Sequence, residues 1–207
     1  MPTQPIQIAS SDDSEELARA ELYGLLARLW VAPPDAAMLR QFEVAVTQAP
    51  QPGAFLEGPW QTLVAAMRAT TPQQARDEYD ALFLGVGKPE VFLFGSYYLT
   101  GFLNEKPLAE LRTDLATLGL ARDEKSGETE DHIAALCEVM RYLIAGDDAA
   151  MCNLESQRKF FRAHLQPWVE KLCDALDAQP RGEVYRALAA FTRAFMQVEV
   201  QGFDLLG

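Results

Sequence analysis

The sequence predicts an all-α protein, built as a single helical-bundle domain of roughly nine or ten helices. Apolar residues recur every three or four positions through nearly every segment, and no segment alternates as a strand does. The clearest case is the segment 130–145, whose apolar face contains Ile133, Leu136, Cys137, Met140, Leu143 and Ile144. That spacing is typical of an amphipathic helix with one buried face.

Helix boundaries are predicted from the residues that start or stop each periodic segment. Ser10–Ser14 supplies N-cap candidates and acids for the first helix, and Pro33–Pro34 ends it. Thr71 and Pro72 provide an N-cap and a first-turn proline for the fourth helix. The helices after the first are predicted, in order, at about 35–49, 54–69, 72–84, 97–104, 107–117, 130–145, 147–164, from 168 onward, and 182–200.

The polar segment 121–130, with the sequence ARDEKSGETE, is the best candidate for a hinge. It separates an N-terminal part at about 10–120 from C-terminal helices at about 131–202. The sequence has no internal repeat and no low-complexity tract. We therefore expect residues 1–207 to form one domain with an internal hinge.

The chain is acidic, with a formal net charge of -12 and a sequence pI of about 4.6. Nucleic-acid binding needs clustered Lys and Arg side chains to displace counterions from phosphates, and the sequence has no such cluster. Two interpretations of the acidity stay open. It attracts a cationic partner, such as a peptide with paired arginines, or it only keeps the protein soluble.

Export signals and membrane segments are not predicted. The N-terminal sequence MPTQPIQIASSDDSEE has neither the cationic nor the apolar part of a secretory signal. No apolar run approaches the roughly 20 residues that span a bilayer. The cysteines form no CxxC pair, which favours a reducing compartment; they are Cys137, Cys152 and Cys173. We expect a cytoplasmic protein without membrane insertion.

The most informative stretch is 78–98, with the sequence EYDALFLGVGKPEVFLFGSYY. Leu82 and Phe83 close a predicted helix, and a glycine turn follows them. The next loop is unusually aromatic, because loops are normally polar and solvated. Its aromatic groups either fill a core or line a groove for an apolar ligand. The loop contains Phe92, Phe94, Gly95, Ser96, Tyr97 and Tyr98.

The sharpest polar feature is the segment 128–132, at the start of the predicted helix 130–145. Helical periodicity puts His132 on the border of the apolar face and points Asp131 nearly away from it. Two interpretations stay open: these groups contact a ligand at the helix N-terminus, or they form a solvated first turn that caps the helix. In either case, we expect Asp131→Ala and His132→Ala to leave the protein folded.

Catalytic chemistry and metal binding are not favoured. Glu128 and His132 are four residues apart, a spacing that can place two metal ligands on one face of a helix. The sequence has no second cluster with metal-ligand spacing. Phosphate-loop and GxSxG motifs are absent. Cys137 lies on an apolar helix face, where a thiolate is disfavoured. His164 and Trp168 are predicted to pack in the core, with a hydrogen bond to His164. We predict no catalytic residue, no metal ligand and no cofactor.

Three separated blocks resemble the TorD/DmsD-type family of chaperones that mature molybdenum-cofactor redox enzymes. They are 79–98, which carries LFxGxG followed by GSxY, then 128–132 and 164–168. The resemblance implies a cytoplasmic chaperone that binds the leader or N-terminal segment of an apo molybdoenzyme and prevents export before cofactor insertion. It also implies a client-binding role for Tyr23, Leu82, Phe83, Phe94, Gly95, Ser96, Asp131 and His132.

In such a complex the leader would bury its apolar stretch among aromatic side chains. Its arginines would face Glu128, Glu130 and Asp131. Binding would be modest in affinity, because a disordered leader loses conformational entropy when it is ordered.

The family pattern is not matched everywhere. Phe92-Leu93-Phe94 stands where many relatives have prolines with Trp or Tyr, and Glu128-Thr129-Glu130 replaces a frequent Glu-Pro. These departures imply a different client, including one whose leader is not twin-arginine. The run GSYYLTGFLNEKPLAELR is closer to relatives that accompany formate-dehydrogenase-type enzymes. Relatives also exchange helices at a hinge, so a monomer and a hinge-swapped dimer both stay open. Some bind guanine nucleotide, for which this chain shows no motif.

Two other functions stay open. One is a small helical enzyme, nucleotide- or metal-dependent, that uses Asp131 and His132. The other is a helical adaptor that binds unrelated peptides through the aromatic loop. Bound metal or steady turnover would favour the enzyme, whereas indifference to molybdoenzyme leaders would favour the adaptor.

Overall fold

Helices account for most of the chain in the computed structural model, which describes residues 11–47, 56–85, 87–122 and 127–205. Within those ranges there are ten α-helices, one π-helical turn and no β-strand, which confirms the predicted all-α class and the single helical domain. The α-helices are α1 (Ser11–Val31), α2 (Ala36–Glu43), α3 (Glu57–Ala69), α4 (Pro72–Tyr79), α5 (Gly95–Thr100), α6 (Lys106–Thr117), α7 (Ile133–Ala145), α8 (Leu154–His164), α9 (Val169–Asp177) and α10 (Glu183–Leu205). The π-helical turn, Asp80–Leu84, directly follows α4.

Side-chain caps determine where several helices begin. Thr71 and Gln74 form a reciprocal capping box at α4, with Pro72 in the first turn, as the sequence predicts. The side chain of Asp35 accepts a hydrogen bond from the Met38 amide at the start of α2, at 2.8 Å. These caps satisfy amide groups that have no partner inside the helix.

Several predicted boundaries differ from the structure. The second helix was expected to reach residue 49 but ends at Glu43, where the Arg68 guanidinium donates hydrogen bonds to the carbonyls of Phe42, Glu43 and Ala45. The helix expected from residue 147 begins only at Leu154, because the Asn153 side chain caps it. The short helix expected at 97–104 occupies Gly95–Thr100 instead, and the last helix runs on to Leu205.

The core lies between α1, α7 and α10. α1 packs along α7, and α10 packs on α3, α4 and α9. Phe83, from the π-helical turn, meets Trp30 of α1 and Tyr185 of α10 in edge-on ring contacts, and Leu82 is buried beside it. This aromatic cluster fixes the direction in which the chain leaves α4, and it therefore positions the aromatic loop that follows.

The predicted hinge, 121–130, includes residues 123–126, which lie outside the described residues. Among the residues that the structure describes, none of the helices combines the length and the apolar character that crossing a bilayer requires. Cys137 is fully buried on α7, and burial raises the pKa of its thiol.

Candidate functional site

A short backbone bridge joins two of the three sequence blocks. Phe94 and His132 form an isolated antiparallel β-bridge. The Gly95 amide donates a hydrogen bond to the Asp131 carbonyl at 2.9 Å, and the Ile133 amide donates one to the Leu93 carbonyl at 2.9 Å. The aromatic loop and the polar cluster, which are distant in sequence, are therefore held against each other by their backbones.

Asp131 is a buried cap for α5, with 4% of its surface exposed. Its Oδ2 accepts a hydrogen bond from the Ser96 amide at 2.9 Å, and its Oδ1 accepts one from the Thr129 hydroxyl at 2.6 Å. The prediction that Asp131 points away from the apolar face was wrong. Helical periodicity does not apply to it, since α7 begins two residues later, at Ile133.

His132 is also buried, and it is the N-cap of α7. Its Nδ1 accepts a hydrogen bond from the Ala134 amide at 3.1 Å, and its ring meets that of Phe94 edge-on with 5.2 Å between centroids. Burial lowers the pKa of His132 to about 4, against the opposing effect of the Asp131 charge. His132 therefore carries no charge at neutral pH and is not a cation or an acid there.

The third block is joined to the loop by the indole of Trp168. This ring packs against Gly95, where a Cβ atom would lie 2.9 Å from Trp168 Nε1 and 3.0 Å from its Cε2. The same ring stacks on Tyr98 with centroids 5.6 Å apart, and its Nε1 donates a hydrogen bond to the His164 carbonyl. The glycine of the GSxY pattern is thus required by close packing.

The three blocks meet at a cleft of about 560 Å³ between α5, α6 and the ends of α7, α8 and α9. Across it, His164 Nε2 lies 2.8 Å from Asp114 Oδ2, which confirms the expected hydrogen bond to His164. The residues that line it are Gly95, Ser96, Leu99, Thr100, Pro107, Glu110, Leu111, Thr113, Asp114, Asp131, Leu136, Ala163, His164 and Trp168. We call this the α5–α6 cleft.

Two of the carboxylates expected to meet a client's arginines already have partners within the protein. Asp131 is satisfied by the Ser96 amide and Thr129, and Glu130 is held by two hydrogen bonds from Arg112, at 3.0 and 2.9 Å. Arg112 also holds the pKa of the Glu130 carboxyl below its usual range. Glu128 is exposed and lines a second, smaller cavity of about 210 Å³ together with His132.

An apolar surface borders the α5–α6 cleft. Leu99 lies in the last turn of α5, and Phe102 and Leu103 lie just after its end; they are 38%, 69% and 41% exposed, respectively. Leu99 itself lines the cleft. Exposed apolar groups beside a cavity indicate an interaction surface. We call these three residues the apolar rim.

The predicted site residues fall into three groups. Gly95, Ser96 and Asp131 lie together at the α5–α6 cleft. Phe94, Glu128 and His132 lie on the other side of the bridge. Glu128 and His132 line the smaller cavity, and Phe94 packs against the His132 ring. The remaining residues, Tyr23, Leu82 and Phe83, are buried in the core, so a client contact by them would require the core to open and stays an untested prediction.

Sequence reasoning missed the apolar rim and the acids of α6. Glu110 and Asp114 stand four apart, so they share the face of α6 that borders the cleft. That spacing was a usable signal. Among the described residues, no group of three or more His, Cys, Asp or Glu side chains could hold a metal ion.

Comparisons with known proteins identify the family. The family model described as nitrate reductase delta subunit matches residues 51–174. The chaperone protein TorD of Aliivibrio fischeri is 24% identical over 127 residues, which cover 58% of this chain and 59% of that protein. TorD of Vibrio cholerae is 26% identical over 132 residues, 60% of each chain.

The chain thus matches only about three fifths of the length of these curated relatives, which are named chaperones and not enzymes. A solved structure has a similar fold over nearly all of the chain. It is that of a proposed redox enzyme maturation protein from Archaeoglobus fulgidus, with a TM-score of 0.50, 14% identity, and coverage of 96% of this chain and 99% of that one. Because the family model covers more than half of the sequence, the chain belongs to the nitrate reductase delta subunit family, that of the TorD-like redox-enzyme maturation chaperones.

Proposed function

We propose that this protein is a cytoplasmic chaperone that binds the leader or N-terminal segment of an apo molybdenum-cofactor oxidoreductase until its cofactor is inserted. The observation that carries the proposal is the α5–α6 cleft, where all three family-like blocks meet beside an exposed apolar rim. The resemblance of the run GSYYLTGFLNEKPLAELR to relatives that accompany formate-dehydrogenase-type enzymes favours a client of that type. The chaperone acts as a monomer or as a dimer that exchanges helices at 121–130.

The surface chemistry of the cleft suits such a segment. A leader combines an apolar stretch with cationic side chains, and here an apolar rim lies next to a cavity lined by Glu110, Asp114 and Asp131. The apolar stretch would bury Phe102 and its neighbours. This burial would favour binding, because it removes apolar surface from water. The net charge of -12 would attract the cationic part over a longer range.

The enzyme alternative has less support. His132 accepts a backbone hydrogen bond through Nδ1 and faces a different cavity from Asp131, so the two do not form an acid–base pair. The Cys137 thiol is buried with a raised pKa, which disfavours a nucleophilic thiolate.

Affinity purification of the tagged chain from its native cells tests the proposal. The expected result is enrichment of the catalytic subunit of a molybdenum enzyme, lacking its cofactor. The double variant Phe102→Ser, Leu103→Ser should lose that subunit, because it removes apolar contacts at exposed positions. Val44→Ser is the matched control, since Val44 is 82% exposed and lies outside the cleft. Recovery of no redox enzyme, or equal recovery by all three chains, would contradict the proposal.

A further inference from the structure

A further cavity, of about 140 Å³, lies between the second half of α6 and the first half of α8. Its apolar lining comes from Leu118 at the end of α6, from Met151 in the loop before α8, and from Phe160 of α8. Apolar side chains gathered around an open cavity indicate a place where an apolar group binds. We call this cavity the α6–α8 pocket.

The α6–α8 pocket adjoins the α5–α6 cleft, because Asp114 lines both. Asp114 Oδ2 lies 2.8 Å from Nε2 of His164, which also lines the cleft. The His164 ring in turn packs on Phe160 in the pocket, with 4.9 Å between the ring centroids. The paired side chains of Asp114 and His164 therefore lie at the boundary between the two cavities. A segment that occupies the cleft can continue across this pair into the pocket.

The size and the lining of the pocket fit one aromatic side chain. An apolar cavity of about 150 Å³ holds one benzene ring, and the α6–α8 pocket has a similar volume, about 140 Å³. The buried Phe160 ring can pack against a second ring, and the sulfur of Met151 makes favourable contacts with aromatic groups. Met151 is half-buried and unbranched, so its side chain can adapt to the shape of the ring.

A lysine determines which charge fits beside that ring. Lys159 is the only cationic side chain in the described lining of the pocket. It is exposed, and no hydrogen bond or ion pair joins it to another described residue. The carboxylate of Asp114, in contrast, already has His164 as its partner. The ammonium group of Lys159 therefore favours a carboxylate on the bound segment.

We infer that the α6–α8 pocket binds an aromatic side chain of the client with an acidic residue next to it, which rests on the proposed function. The client segment would lie along the apolar rim and the α5–α6 cleft, cross the Asp114–His164 pair and place one ring against Phe160. Its acidic residue would lie beside Lys159. The pocket thus selects among clients by a feature that is separate from the cationic and apolar parts of a leader.

NMR of the Met151 methyl group with small probes tests the pocket. The variant Met151→Leu, which nearly conserves volume, identifies its resonance. N-acetyl-phenylalanine should shift this resonance in a saturable manner, whereas N-acetyl-alanine, which has no ring, should not. N-acetyl-phenylalanine amide, which has no carboxylate, should bind about threefold more weakly. Lys159→Gln should remove that difference, and Lys106→Gln, at a side chain that is 84% exposed and outside the pocket, should preserve it.

Ser156→Leu separates client binding from folding. Ser156 lines the pocket from the first turn of α8, so a leucine there would fill the space that the ring needs. The melting temperature should stay the same or rise, because leucine fills a cavity and favours a helix. Affinity for N-acetyl-phenylalanine and recovery of the molybdenum-enzyme subunit in affinity purification should both fall at least about tenfold. Thr62→Leu, an exposed change on α3, is the control and should alter neither.

The outcomes distinguish the pocket from the proposed function. An unmoved Met151 resonance, or equal shifts with N-acetyl-alanine, would overturn the aromatic pocket and leave the chaperone proposal standing. A preference for the carboxylate that persisted in Lys159→Gln would overturn the pairing with Lys159. Normal recovery of the client by Ser156→Leu would exclude the client as the occupant. If the wild-type protein recovered no redox enzyme, the proposed function would fail, and the client would be excluded as the occupant even if the ring bound.

Discussion

Two regions of this protein bury polar side chains, and they differ in whether those side chains have hydrogen-bond partners. Between α1 and α10, Glu199 accepts hydrogen bonds from Arg19 at 2.9 and 2.8 Å and from the Tyr23 hydroxyl at 2.9 Å. In the α5–α6 cleft, the Ser96 hydroxyl and one oxygen of Asp114 have no partner among the described residues. The first region is a closed network within the protein, whereas the second leaves acceptors beside a cavity.

The difference shows what each region does. A buried polar network that is fully satisfied stabilises one arrangement of its helices. Partnerless groups are not by themselves evidence of function, since Trp30 Nε1 and the Tyr185 hydroxyl are also buried in the core without a partner among the residues that the structure describes. Ser96 differs from them in its position, because it belongs to the wall of the α5–α6 cleft.

The largest effect is expected from opening the closed network. Glu199→Ala would leave Arg19 and Tyr23 without their shared acceptor, at a cost of about 3 kcal/mol in the free energy of unfolding. Chemical denaturation measures it. Glu16→Ala is the control, because Glu16 pairs with the same arginine but its side chain is 42% exposed. This change should cost less than about 0.5 kcal/mol in the free energy of unfolding. Equal losses for both variants would remove the contrast between the two regions.

The pH dependence of the free energy of unfolding tests whether His132 is a buried, neutral side chain that stabilises the fold. Its pKa is about 4 when folded and about 6.5 when unfolded, so the unfolded chain binds more protons between these values. Stability should therefore fall as pH drops from about 6.5 to about 4, by roughly 3 kcal/mol from this residue. His132→Asn keeps an N-cap acceptor and removes the titration. The wild-type protein should lose more stability than the variant over this window, and parallel curves would show that His132 is not buried as a neutral group.

Gly95→Ala tests the contact that joins the loop to Trp168. The added methyl group would lie 2.9 Å from the indole nitrogen, and relief of that overlap should cost about 1 to 3 kcal/mol. The tryptophan fluorescence should also change as the ring moves. Gly202→Ala is the matched control, because it lies in α10 with open space around it and should stabilise by about 0.5 to 1 kcal/mol. A neutral Gly95→Ala would mean that the cleft wall is loosely packed.

Asp131 gives the smallest of these effects. Asp131→Ala removes the acceptor for the Ser96 amide and should cost about 1 to 2 kcal/mol, a loss with which the protein would still stay folded, as expected from the sequence. Asp131→Asn keeps an acceptor oxygen and should recover most of the loss. Thermal denaturation of both variants checks this. If Asp131→Ala melted like the wild-type protein, its carboxylate would be free to meet a client.

The helical fold was predictable because its signals are local. Periodicity and capping residues such as Thr71 and Pro72 are read from a few neighbouring positions. The core role of Cys137 and the hydrogen bond of His164 followed from the same pattern. Errors arose where a segment leaves the helix. The direction of the Asp131 side chain was predicted from helical geometry, but Asp131 precedes the helix and its backbone pairs with the aromatic loop.

By itself, the sequence determined the all-α class, the approximate helices and the blocks that resemble the TorD-type family, because each depends on residues close together in the chain. Only the tertiary structure decided that Gly95, Asp131 and Trp168 meet at one cleft. It also decided that Asp131 and His132 face different cavities and that Asp114 faces the same cleft as Ser96. Those relations come from packing between distant segments, and the short-range pattern of a single sequence carries no record of which distant surfaces come together.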